Sequence, residues 1–166
     1  MSAGTKSLLF GAHQFVLHPL LVWLAWRRLY GRAGWRVAVA IVVHDWGYWG
    51  RSSIEGPDAL AHSEVGAAIA GRLLGQEYAD LVRWHSRGYA AACGRQPSRL
   101  CWADKMAFVL EPRWLYLLRT RATGELREYR AKSDAAGFCA AGVTDARWWD
   151  RLAAALRAEA YQAIMP

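Results

Sequence analysis

An all-α fold in a single domain is what this sequence predicts, and three observations predict it. Apolar residues recur at helical spacing, alternating strand patterns are weak, and no repeat, low-complexity tract or Pro/Ser-rich linker divides the 166 residues. Residues 31–34, 50–57, 88–97 and 137–142 carry glycines and read as loops. Leu21, Val22, Ala25, Trp26 and Leu29 keep the rhythm of one helical face. The run Trp35–Val43 is apolar throughout and rich in Val, so alone it fits a buried strand as well as a buried helix, and the weak strand patterning elsewhere favours the helix. Val65, Ile69 and Leu73 form the next stripe, with Pro57 near the start of that helix. Tyr78, Leu81 and Val82 form another. Ser98 is placed to cap a helix carrying Leu100, Ala107 and Phe108 that breaks near Pro112. Thr144 is placed to cap a last helix carrying Trp148, Leu152, Leu156 and Tyr161.

Composition narrows the class. With 54% apolar residues the chain can build a core, which excludes a disordered, collagen-like or disulfide-stapled polypeptide. Cys93, Cys101 and Cys139 form no CxxC pair and are odd in number, so neither a disulfide framework nor a zinc knuckle is expected. The net charge is +7, and all the basic residues except Lys6, Lys105 and Lys132 are arginines. Such a surplus favours an anionic partner. The opening MSAGTKSLLFGAHQF lacks the long apolar core of a signal peptide, and no apolar stretch reaches the 18 or so residues that span a bilayer. A cytoplasmic protein without a membrane partner is the expectation.

All five histidines fall in the first 85 residues: His13, His18, His44, His62 and His85. His18 shares the face of Leu21, Val22, Ala25 and Trp26. His62 shares that of Val65, Ile69 and Leu73, and His85 that of Tyr78, Leu81 and Val82. Asp104 follows Leu100 by four positions, and His44-Asp45 ends the most apolar run of the chain. A lone inward histidine is most often a hydrogen-bonded core residue. Five segments that each turn an imidazole or carboxylate inward are a costlier arrangement, which a metal cluster satisfies at once. Imidazole with carboxylate suits iron, manganese, zinc or nickel, and one carboxylate can bridge two ions. His13, five residues before His18, falls on a different helical face and is read as a non-ligand.

The ordered set His18, His44-Asp45, His62, His85, Asp104 resembles the H…HD…H…H…D pattern of the HD-domain superfamily of metal-dependent phosphohydrolases, which is built on a helical bundle. VVHDWGY, HSEVGA, WHS and ADK are the local contexts that carry the resemblance. It covers about residues 17–107, leaving 108–166 as a C-terminal helical extension of the same domain. The resemblance implies that His18, His44, Asp45 and Asp104 bind one metal. Asp45 would bridge to a second metal held by His62 and His85, making two divalent transition metals, foremost iron or manganese. Many family members carry a Lys three positions after the Asp of the doublet, where this chain has Tyr48. Neutralising a phosphate would then fall to Arg51, Arg87 or Lys105, which with Asp45 make up the expected catalytic residues. Gly47 and Gly50 could shape a turn over the site. Trp46, Tyr48 and Trp49 could wall a pocket or, the commoner case for any one aromatic, pack in the core. Glu55 and Asp58 could support a ligand histidine.

Three functions fit these expectations. The first is a dinuclear phosphohydrolase acting on a small anionic phosphate ester, foremost a nucleotide or dinucleotide. The second keeps the fold and ligands but makes the centre a mixed-valent di-iron oxygenase of a small organic or organophosphonate substrate. The third is a non-enzymatic nucleotide- or nucleic-acid-binding module. Its support is the Arg-rich stretch 113–130, but Glu111, Glu125 and Glu128 break that stretch up, so a nucleic-acid partner is not favoured. The Trp148-Trp149 pair belongs to a packing helix, either within the monomer or at a homo-oligomer interface.

Overall fold

The computed structural model describes residues 1–54, 61–139 and 142–165; Pro57, Glu55 and Asp58 lie outside these. Among the described residues there are ten α-helices and no strand. They are α1 (Ala3–Phe10), α2 (Leu17–Tyr30), α3 (Trp35–Val43), α4 (His62–Leu74), α5 (Gln76–Arg83), α6 (Arg87–Ala92), α7 (Arg99–Leu110), α8 (Arg113–Thr123), α9 (Glu125–Ala135) and α10 (Asp145–Ile164). A single 3₁₀ turn, Trp46–Tyr48, follows α3.

The apolar run Trp35–Val43 is a helix, as the rest of the chain favoured. It forms a hairpin with α2 across residues 31–34, and Gly31, at φ 81°, ends α2 with its N–H on the Arg27 carbonyl. α2 buries Leu21, Val22, Ala25 and Trp26 as its spacing predicts. Pro19 sits in its first turn, where a missing N–H costs nothing. α7 is buried on several sides, through Leu100, Cys101, Ala103, Met106 and Ala107, and packs against both α2 and α10. α10 contributes Ala153 and Leu156 to the same principal core, so the C-terminal third closes over the first two thirds. Thr144 caps α10 by accepting from the Arg147 N–H.

Four local readings are corrected. α4 turns Ile69 toward the core as its spacing predicts but not Val65 and Leu73, which are exposed, and the buried stripe is His62, Ser63, Gly66, Ala67 and Ala70. Close approach of backbones, not hydrophobicity, sets that face. A Cβ on Gly66 would come within 2.5 Å of the Val43 carbonyl oxygen. Residues 88–97 are not all loop, because Ser86 caps the short helix α6. Ser98 stands at the N-cap position of α7, but its hydroxyl donates to the Leu81 carbonyl at 2.7 Å and ties α7 to α5. Trp46 and Trp49 are exposed rather than core residues, and Tyr48 between them is buried. All three cysteines are free, with Cys101 and Cys139 buried and Cys93 exposed.

Candidate metal centre

Five segments deliver six side chains to one point. α2 brings His18 from its first turn, and the C-terminal end of α3 brings His44 and Asp45. α4 opens on His62, His85 lies two residues past the end of α5, and Asp104 sits midway along α7. One atom each from His18, His44, Asp45 and Asp104 falls within 4.8 Å of all the others, and the same holds for Asp45, His62 and His85. Asp45 belongs to both groups. Its Oδ2 lies 3.1 Å from His44 Nε2 and 3.2 Å from His18 Nε2, while its Oδ1 lies 3.2 Å from His85 Nε2 and 3.5 Å from His62 Nε2. Asp104 Oδ1 is 3.1 Å from His18 Nε2.

The packing that holds this cluster is specific. A Cβ on Gly47 would lie 1.7 Å from the His62 carbonyl oxygen, so only glycine lets the 3₁₀ turn rest on the start of α4. The Tyr48 ring then stacks on the His62 imidazole, with centroids 4.1 Å apart and planes 13° from parallel. His44 and His85 are oriented the same way: Nδ1 of each lies 2.6 Å from the carbonyl three residues earlier, Ile41 and Val82. A neutral imidazole that donates Nδ1–H to a carbonyl keeps a bare lone pair on Nε2, the arrangement typical of a metal-ligating histidine.

Each of the two donor groups could hold a metal ion. Ligands at the usual 2.0–2.2 Å from an ion stand about 2.8–3.6 Å from each other across octahedral and tetrahedral geometry. The His18–His44 and His62–His85 Nε2 pairs are 3.3 and 3.1 Å apart. Asp45 Oδ2 is fully buried with no hydrogen bond aligned on it, the mark of an acceptor that awaits a cation. Burial pushes the Asp45 carboxyl up, but the imidazoles around it, His44 foremost, hold it well below the ordinary carboxylate range. Burial pushes the His18 imidazole down, and the close carboxylates of Asp104 and Asp45 outweigh it and lift it to about 9. Burial pushes His85 down to about 4.

The cluster opens into a cavity of about 430 Å³. Lys105 and Arg87 line it. The Lys105 ammonium is 2.8 Å from Asp104 Oδ2, and burial lowers its pKa less than Asp104 raises it. Arg87 pairs with Glu159. Arg51 does not line the cavity: its Nε donates to the Gly47 carbonyl at 3.1 Å, which places it behind the 3₁₀ turn.

Sequence reasoning missed two parts of the site. His13 is outside both donor groups, as expected of a non-ligand, yet it lines the cavity, with its ring 5.7 Å from that of His18 and 4.4 Å from that of Tyr48. His13 and His18 do not share a helix; α2 begins at Leu17, and the segment before it folds back against α1. The Ser7 hydroxyl donates to buried Glu125, so it accepts from His13 Nδ1, 2.7 Å away, and leaves His13 Nε2 as an acceptor. The far wall comes from the C-terminal third, through Tyr116, Tyr129, Lys132 and Leu152. No motif marks these residues, because tertiary packing alone brings them to the cavity. Compared with protein-family models, with curated proteins and with solved structures, the chain gives no match.

Proposed function

We propose that this chain is a dinuclear metal-dependent phosphohydrolase of the HD type, acting on a small anionic phosphate ester, foremost a nucleotide or dinucleotide. The observation that carries this reading is the division of Asp45, with one carboxylate oxygen facing His18 and His44 and the other facing His62 and His85. His18, His44, Asp45 and Asp104 would hold one ion and Asp45, His62 and His85 the other, with iron or manganese suited to so mixed a donor set. When bound, such a pair acidifies water and offsets the charge of the phosphoryl oxygens. The chain's own residues orient and neutralise the substrate. Lys105 sets an ammonium at the cavity wall beside Asp104, and Arg87 adds a guanidinium at the rim, where a phosphate can compete with Glu159. Tyr48, Phe108, Tyr116 and Tyr129 give the cavity aromatic walls against which a base can stack.

Two other readings are weaker. The Arg-rich stretch supports a nucleic-acid partner poorly, since Arg113 pairs with Asp150, Arg119 with Glu111, and Arg121 and Arg130 with Asp145. A di-iron oxygenase uses the same donors. It draws support from Tyr48, which stacks on His62 at the position where many HD proteins carry a lysine. Metal analysis followed by phosphate release from nucleotide and phosphomonoester panels, with manganese or ferrous iron, tests the proposal. Phosphate release that depends on the metal supports it. Oxygen uptake coupled to an organic substrate, with no phosphate released, overturns it.

A further inference from the structure

The outer surface of the α2–α3 hairpin combines two properties that soluble surfaces usually keep apart. Val16, at the N-cap of α2, and Leu20 and Leu24 within it recur every fourth residue on the side opposite the core, and they are 71%, 49% and 38% exposed. The same face continues into exposed Arg27 and Arg28. On α3, Trp35 and Val42 are exposed on a common side, 67% and 46%. Phe15 and Trp49, both exposed, stack with centroids 6.4 Å apart and extend the apolar surface past the N-terminal end of α2. Scattered apolar residues on a surface need no explanation, but rows on paired helices do.

Within the hairpin's own segment the charge has one sign. The first 44 residues hold Lys6, Arg27, Arg28, Arg32 and Arg36 and no acidic residue, and the first acid, Asp45, is buried at the metal centre. Arg32 lies in the loop of the hairpin and Arg36 in the first turn of α3, so the cations gather at the hairpin's closed end. Two of them cover indoles: the Arg27 guanidinium lies 4.8 Å from the Trp23 ring centroid, and that of Arg36 lies 5.3 Å from that of Trp35.

We infer, against the expectation from the sequence of no membrane partner, that this face docks on the surface of an anionic lipid bilayer. Leucine, valine and tryptophan side chains enter the headgroup–acyl boundary, while the arginines pair with lipid phosphates. No helix of the described residues is long and apolar enough to cross a membrane, so the contact lies on the bilayer. A second copy of the chain fits less well, because a two-fold contact would set the hairpin's single-sign charge against itself.

Co-sedimentation with vesicles of phosphatidylcholine, alone or with phosphatidylglycerol added, tests this. The chain pellets with the anionic vesicles and not with the neutral ones, and added salt releases it. Leu20→Glu with Leu24→Glu, both at exposed positions, lowers binding about ten-fold or more, and Arg27→Ser with Arg28→Ser weakens it by a similar factor. Arg113→Ser with Arg121→Ser, on another surface, leaves it unchanged. A chain that stays in the supernatant with anionic vesicles overturns the inference, as does a Leu20→Glu/Leu24→Glu variant that binds like the parent. A dimer in sedimentation velocity that this variant dissolves, without vesicle binding by the parent, assigns the face to a second copy instead. None of these outcomes depends on what the metal centre does.

Discussion

Oδ1 of Asp45 lies 3.2 Å from Nε2 of His85, and the other ring nitrogen of His85 lies 2.6 Å from the Val82 carbonyl oxygen. The imidazole is thus aimed at one oxygen of the shared carboxylate, and His62 Nε2 stands 3.1 Å from His85 Nε2 and 3.5 Å from the same oxygen. His85→Ala or His62→Ala should therefore weaken one ion's site and leave the other, built on His18, His44 and Asp104, in place. The expected result is loss of about half of the bound metal, since each group offers one ion's donors. Metal content per chain, read with helicity by circular dichroism, checks it.

Gly47 and Gly66 hold the first turn of α4 against the end of α3. A Cβ at either would enter a backbone carbonyl, 1.7 Å away at Gly47 and 2.5 Å at Gly66. Gly47→Ala and Gly66→Ala should each destabilise the chain by about 2–3 kcal/mol or more, because backbone cannot yield as a flexible side chain can. Gly71, in the same helix, meets only the Ala79 methyl at 3.2 Å, and Gly71→Ala should change stability by less than about 1 kcal/mol in either direction. Urea denaturation midpoints separate the three.

Glu125 is buried against Ser7, Thr123 and the Ala12 N–H, and burial, the largest influence, raises its pKa above the ordinary 4.5. From that ordinary value up to the raised one, the folded chain keeps a proton that the unfolded chain releases. Stability from this group therefore falls as pH rises across that window and is level below it. Glu111 is raised by burial too, in spite of Arg119 3.0 Å away, and contributes with the same sign. Glu125→Gln should flatten the profile by its own share only. Denaturation midpoints of parent and variant across the window measure that share.

His13 should act on substrate rather than on metal. His13→Gln is expected to leave metal content unchanged and to lower turnover about ten-fold, the worth of one hydrogen bond. Ser7→Ala frees the imidazole that Ser7 holds and should move turnover in the same direction. Metal content and phosphate release on the same preparations check both.

Part of the site could be read from the sequence, because His18 and Asp104 sit on helices, and His85 just past the end of one, whose inward faces are marked by their neighbours. His18 with Val22 and Ala25, and His85 with Val82, follow the 3.6-residue period, and burial confirms them. Periodicity failed on α4, where Gly66, Ala67 and Ala70 face inward and carry too little hydrophobicity to register. Closeness in sequence to the ligands misled at Arg51, which the Gly47 carbonyl holds behind the 3₁₀ turn, and the helical period, though it set His13 apart from the donors, did not show that His13 reaches the cavity. The far wall of the cavity, with Tyr116, Tyr129 and Lys132, depends on how α8 and α9 meet the rest, which no local pattern encodes.

The central claim is that one carboxylate joins two metal sites, and the metal content of Asp45→Ala beside the parent tests it most directly. The parent should carry about two transition-metal ions per chain, and Asp45→Ala, at unchanged helicity, should lose most of both. A variant that keeps the full metal content, or a parent that binds none under iron or manganese loading, would contradict it.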